Sequence, residues 1–259
     1  MVRGLFASAS GALVAQSQVD VIANNLANVN TNGFKRVLLQ AASAPSLDIY
    51  RFQTDPADGT TGSPTAAHVG SLGFGAQVYG TTAVFEQGSL EHTGNPLDLA
   101  VQGNGFLTVQ TPQGIRYTRD GQLARDAQGY LVTMDGDRVL GRNGAIVLPA
   151  GDVQVSKDGT ISQQGRQIDA VRVTQFASIA ALRPEGSNRF VDSGGARPAP
   201  AAAFTVNQGF LEKSNANVVR SMVDLITAER WFEANQKSMQ TQDDATASAI
   251  SEVSRTSSH

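Results

Sequence analysis

Between Gly4 and Gly33 the chain carries one charged side chain, Asp20. A helix lying on the surface of a globular domain shows a charged face opposite its apolar stripe. Here small and apolar residues recur at Val2, Leu5, Ala9, Ala12, Val19, Ala23 and Leu26, in alternating steps of three and four, with Gln16 interrupting. The spacing predicts a helix from Gly4 to about Val29. Asn30-Thr31-Asn32-Gly33 ends it, because Asn and Gly supply the left-handed backbone of a helix stop or turn. Ala, Ser, Gln and Asn surround this helix on every side, which suits close packing against several neighbours. Alone it is marginal, since an alanine-rich seam buries little area per turn.

The end of the chain mirrors the beginning. From about Asn217 to Val253 no proline interrupts a second helical stretch. Val218, Met222, Leu225, Phe232 and Met239 fall on one stripe, with Glu229 and Gln236 between them. Arg220, Asp224, Glu229, Arg230, Glu233 and Lys237 supply a charged exterior. Two ends with coiled-coil-like stripes can pair and bring the termini together beneath a central body.

That body has a different period. From about Val78 to Phe204, short β-type runs alternate with glycine turns, and Asp120-Gly121, Asp135-Gly136, Asn143-Gly144 and Asp158-Gly159 are strong turn dipeptides. Strands spaced in this way form an antiparallel meander or small barrel, not a parallel α/β sheet. Thr54–Gly75 and Asp192–Ala203, rich in Gly, Pro and small residues, are expected as flexible loop or connector. The expected class is α+β: paired, coiled-coil-like terminal helices carrying a central antiparallel β-rich domain. The expected divisions are 1–35 (N-terminal helix), 36–77 (extended or loop connector), 78–204 (β-rich body) and 205–259 (C-terminal segment and helix).

Chemistry finds little material. There is no cysteine, so thiolate metal sites and disulfides are excluded, and the three histidines, His68, His92 and His259, lie far apart in sequence. No metal, cofactor or catalytic residue is expected. Gln102-Gly103-Asn104-Gly105-Phe106 has glycines two apart but no helical pattern after it, so it reads as a turn between strands. Asp135-Gly136-Asp137 lacks the downstream glutamate of a calcium loop. No G-x-S-x-G elbow occurs. Trp231 and Phe232 read as packing anchors rather than a ligand platform. A carboxylate pair of the glycosidase type depends on the fold, and nothing promotes a particular pair. A formal net charge of -3 gives no basic face for nucleic acid. No apolar run approaches the ~20 residues of a membrane span. Arg3 followed by Gly4–Ala15 has the outline of a short secretory signal, but Ser8, Ser10 and Gly11 break its apolar run.

Three ordered segments carry a resemblance. Asp20–Lys35 (DVIANNLANVNTNGFK) is similar to the N-terminal signature of the flagellar rod and hook proteins, built on an A-N-N-L-A-N core. Gly94–Val101 (GNPLDLAV), Gly103–Phe106 (GNGF), Tyr117–Gly121 (YTRDG) and Leu131–Thr133 (LVT) resemble that family's central domain, in order. Gly209–Asn217 (GFLEKSNAN) and Ala228–Gln240 (AERWFEANQKSMQ) resemble its C-terminal signature. Departures are Ala216 where valine is general, Phe232 where tyrosine is common, and 42–76, which matches no family pattern.

The resemblance implies a structural, non-enzymatic subunit whose terminal helices line the channel of a tubular polymer transmitting torque from motor to hook. It implies export through the flagellar type III machinery without a cleaved signal peptide, and residence in the basal body. Implied partners are further copies of the chain, other rod proteins, the hook protein and the L/P-ring bushing. The chain has no room for a hook protein's extra outer domains. Val29–Arg36 is more similar to distal than to proximal rod members, and a proximal rod protein is the alternative. The motif residues carried over are Asn24, Asn25, Leu26, Ala27, Asn28, Gly33, Phe34, Lys35, Ser214, Asn215, Glu233 and Asn235. The helix seam is expected at Leu5, Leu13, Val19, Ile22 and Leu26 against Val218, Met222, Leu225, Phe232 and Met239. Asn24, Asn25 and Asn28 are expected either to bond across subunits or to cap local backbone. Outside the family, a secreted β-domain hydrolase or an oligomeric binding module would each leave the paired terminal signatures unexplained.

Overall fold

A computed structural model describes residues 2–52, 66–73 and 75–256. It holds a helix at each end, α1 (Val2–Ala27) and α2 (Val218–Thr256), and a central region of antiparallel strands. α1 stops where the Asn28 amide donates to the Asn24 carbonyl at 2.9 Å and Thr31 Oγ1 donates to Asn28 Oδ1 at 3.2 Å, before Gly33 turns left-handed at φ +68°. α2 starts at Asn217, whose Oδ1 accepts the Arg220 backbone N–H at 2.9 Å, the N-cap arrangement.

By contact density the chain divides into two compact units, Met1–Val21 with Leu39–Thr81 and Val223–His259, and Ile22–Leu38 with Thr82–Met222. In the first, α1 and α2 run antiparallel. Ser8 Oγ lies 3.0 Å from Ser238 Oγ, Gly4 faces Gln242, and Gly11 faces Asn235. A β-carbon at Gly4 or Gly11 would come within 2.8 Å of those amide side chains, so glycine permits the close approach. On α1 Ala12, Ala15, Ile22 and Asn25 are buried, and Leu5, Ser8, Val19 and Leu26 are half-buried at the same helical spacing as the first three. On α2 the less exposed positions include Leu225, Ala228, Phe232, Asn235, Met239, Gln242 and Thr246. Both helices keep a step of three and four, and Leu5, Val19, Ile22, Leu26, Leu225, Phe232 and Met239 follow it. Between them Gln16, Ala23, Glu229 and Gln236 are exposed, while Ala15, Ala228 and Asn235 are less so. With small residues on every face of α1, apolarity alone does not mark which side turns in.

The region expected as connector is largely strand. Val37–Ser43 pairs with Ala76–Ala83, and Leu47–Phe52 pairs with Ala66–Leu72 with an irregularity between Ile49 and Tyr50. The central part of the expected loop, 53–65, lies outside the described residues.

In the second unit the longest run is the strand Gly105–Thr111. One edge pairs with Gly114–Thr118 through the Thr111/Gly114 turn. Its other edge pairs first with Val173–Phe176, then with Arg138–Val139. Alternate side chains feed two cores, as the period of two requires. Leu107 and Val109 join Leu99, Leu131, Ile146 and Ile161 on one face, while Phe106 joins Tyr117, Phe176 and Phe190 on the other. Those aromatic rings meet edge to face, Tyr117 and Phe176 at 4.6 Å. The glycine turns behave as their dipeptides suggest at Gly136, Gly144 and Gly159, all at positive φ. Gly121 is needed for a different reason: a β-carbon there would fall 1.7 Å from the Leu99 carbonyl oxygen. Gly103 separates two strands without a helix, as expected. Within the expected connector 192–203, Pro198–Pro200 forms an edge strand on Val173–Phe176. Its two prolines lack N–H groups, which blunts the free edge against further pairing.

Leu107 is fully buried. Leu107→Ala should lower unfolding free energy by about 3 kcal/mol, the usual range for a truncated core leucine, read by chemical denaturation. A loss below about 1 kcal/mol would contradict this packing.

Candidate functional site

The three segments that carry the resemblance meet at one buried cluster of charge. Lys35 ends the N-terminal signature, Arg119 lies in the central YTRDG, and Glu212 lies in the C-terminal GFLEKSNAN. They are 2%, 4% and 1% exposed. Lys35 Nζ donates to Glu212 Oε1 at 2.5 Å and to the Glu86 carbonyl at 2.7 Å. The Gly88 N–H donates to the same Oε1 at 2.9 Å. Arg119 Nη1 reaches Glu212 Oε2 at 3.4 Å and the Val101 carbonyl at 3.1 Å, and Nη2 reaches the Gly103 carbonyl at 2.5 Å. The guanidinium carbon stands 4.8 Å from the centre of the Phe106 ring.

Two cations thus share one carboxylate. Burial pushes the Lys35 ammonium below its ordinary value, opposed by the attraction of Glu212, with Arg119 adding a smaller push downward. Burial lowers the Arg119 guanidinium as well, again opposed by Glu212. Backbone carbonyls of residues 86, 101 and 103 carry the remaining donors, while Arg119 Nε is buried with no hydrogen-bond partner. Such a cluster tolerates the loss of no single member, because the others would stay buried and unpaired.

Around it the chain ends are tied by backbone mimicry. Asn25 receives the Val37 N–H on Oδ1 at 2.8 Å and donates to the Val37 carbonyl at 2.7 Å, replacing a missing strand partner. Asn215 does the same work across a longer interval, accepting from Arg36 N–H at 2.7 Å and donating to the Val84 and Glu86 carbonyls. The Gly33 N–H donates to the Glu212 carbonyl at 2.7 Å, and a β-carbon on Gly33 would sit 2.4 Å from the Asp120 nitrogen. Phe34 is half-buried beside this tie, and Ser214 Oγ accepts the Ala216 N–H at 3.1 Å.

The remaining motif residues sit on the helices. Asn24 contributes only its carbonyl, to Asn28, whose bonds are local capping, and Ala27 is exposed. On α2, Asn235 donates back to the Trp231 carbonyl at 2.8 Å, and Glu233 is exposed. The residues expected on one seam divide. Leu5, Val19, Ile22, Leu26, Leu225, Phe232 and Met239 are half-buried or buried, whereas Leu13, Val218 and Met222 are exposed. Trp231, read as a packing anchor, is 59% exposed. Arg119 and Glu212 were not expected as site residues, although both lie inside the YTRDG and GFLEKSNAN motifs. Their signal was a charge set within a glycine- or leucine-bearing strand run.

Beside the junction, a hollow of about 210 Å³ is lined by Thr31, Asp120, Asp135, Asp137 and Asn188, among others. Burial raises the Asp120 carboxyl to about 6, partly offset by the Gln122 N–H it accepts and reinforced by Asp135 and Asp98. Among the described residues no group of three or more His, Asp or Glu side chains could hold a metal ion. No helix among them is long and apolar enough to cross a membrane.

Comparison with known proteins agrees with this geometry. Residues 6–35 match the model of the flagella basal body rod protein, 100–163 that of the flagellar hook protein FlgE/F/G D1 domain, and 207–252 that of the flagellar basal body rod FlgEFG protein C-terminal region. Flagellar basal-body rod protein FlgG of Borreliella burgdorferi is 33% identical over 94% of this chain and 96% of its own length. FlgG of Agrobacterium fabrum is 34% identical over 93% and 96%. Rod protein FlgF of Caulobacter vibrioides is 30% identical over 98% and 99%. The chain belongs to the flagellar basal-body rod protein family. Within it, the similarity favours the FlgG type over the FlgF type.

Two outcomes test the junction. Glu212→Gln should cost about 3–5 kcal/mol in denaturant unfolding, the range for stranding a buried partner. A loss under about 1 kcal/mol would show that the cations find other partners. For Asp120 the folded value lies above the ordinary 3.8, so protonation favours the fold. Its contribution is fully present below about pH 4 and is lost as pH rises through about 6, by about 3 kcal/mol. Asp120→Asn should remove that slope, so stability curves of the two proteins converge at low pH and separate between pH 4 and 6.

Proposed function

We propose that this chain is a distal-type structural subunit of the flagellar basal-body rod, polymerising through its terminal helices into a hollow shaft that carries torque from motor to hook. A rod subunit catalyses nothing, and its working surfaces are interfaces. The observation that carries the reading is the outward apolar face of both helices: Phe6 and Leu13 on α1 are 64% and 70% exposed, and Val219, Val223, Ile226 and Trp231 on α2 are exposed too. Side chains of this size on the outward face of a helix are covered when neighbouring copies pack against them.

In this reading the inward stripes, including Leu5, Val19, Ile22 and Leu26 of α1 and Leu225, Phe232 and Met239 of α2, form a coiled-coil-like seam within each subunit. Leu13, Val218 and Met222 serve the contact between subunits. Both helical segments gain order as neighbours bury them. Residues 1–35 and 205–259 act as the polymerising part, 36–77 as connector and 78–204 as the body. Partners are further copies, other rod and hook subunits and, at the body, the L/P-ring bushing. The chain reaches the basal body through the flagellar type III route with its N-terminus intact.

Phe6→Asp combined with Leu13→Asp should leave the near-UV circular dichroism of the purified subunit unchanged while abolishing rods in basal bodies viewed by electron microscopy. Normal rods from this variant would sink the proposal.

A further inference from the structure

The second unit is stitched from two kinds of pairing. Its hairpins are local: Gly105–Thr111 with Gly114–Thr118, Leu123–Arg125 with Leu131–Thr133, and Thr160–Gln163 with Arg166–Ala170 each join neighbours in the chain. The segment from Phe204 to Lys213 is the opposite. Phe204–Gln208 covers Leu99–Gly103, Phe210–Glu212 pairs with Leu90–His92, and Lys213 N–H donates to the Ser89 carbonyl at 2.8 Å. Val206 enters the main core beside Leu99 and Val101.

Its last step brings the one carboxylate of the buried charge cluster. Lys35 and Arg119 stand earlier in the chain by 177 and 93 residues. Any closed body lacking Glu212 would bury both cations with no counter-ion, at a cost that ordinary packing does not offset. Loop closure over such intervals is also entropically unfavourable before its contacts form.

We propose that Glu212 is the closing latch of the body: the local hairpins form first, and the junction shuts only when the segment 204–213 docks. A chain that emerges N-terminus first therefore keeps this unit open until most of its length is available, and then closes it in one step. The latch needs nothing outside the subunit.

Pulse-labelled hydrogen exchange during refolding of the full-length chain tests the order. Amides of 105–118 should gain protection before those of 99–103 and 204–208, and simultaneous protection would overturn the proposal. Stopped-flow kinetics give a second reading. Because a late contact is absent from the transition state, Glu212→Gln should accelerate unfolding about a hundredfold or more and leave the folding rate within about twofold. A folding rate that falls in proportion to the lost stability would place Glu212 in the nucleus and refute the latch. Should that variant not fold, Glu212→Asp, which keeps the charge but shortens its reach, is read by the same criterion.

Discussion

The pairing of Lys35 and Arg119 with a single buried carboxylate governs how the segments 33–36 and 209–215 join the β-rich unit. Hydrophobic burial is not directional and would accept several relative placements of the two terminal segments. A buried ion is stricter. The Glu212 side chain satisfies an ammonium, a guanidinium and the Gly88 N–H, and displacing any of them leaves a charge or donor in a dry site. Register at residues 33–36 and 209–215 is therefore fixed by electrostatics, with Asn25 and Asn215 extending the fixation along the backbone.

The two units answer different physical demands. The second has large buried side chains, interlocked aromatic rings and a strand that alternates between two cores. The first has a helix seam lined by glycine, serine and alanine and an outside studded with apolar side chains. A self-sufficient domain would arrange these the other way round. In the assembly proposed above the distribution is coherent, because an exposed apolar surface of this kind is what an interface requires.

Much of this was legible in the sequence. Both helices, the antiparallel character of the body and the strong turns at Gly136, Gly144 and Gly159 follow from period and dipeptide chemistry. The small residues between the large seam side chains were not, because α1 offers small residues on all sides and Leu5 can be followed by either Ser8 or Ala9 at helical spacing. The strands near 37–52 and 66–83 were obscured by the Gly- and Pro-rich composition around them. The motif residues Asn25, Gly33, Lys35 and Asn215 do converge, but their partners Arg119 and Glu212 are ordinary surface residue types whose burial only the long-range pairings reveal. Long-range burial leaves no mark at fixed spacing.

The glycines of the helix seam set a dimension. Helix axes ordinarily stand ~8–10 Å apart according to the side chains between them. Where Gly4 and Gly11 face Gln242 and Asn235, one helix contributes only hydrogen to the gap. Each such contact lets the two helices stand closer than side chains on both faces would allow, and the pair is correspondingly slender.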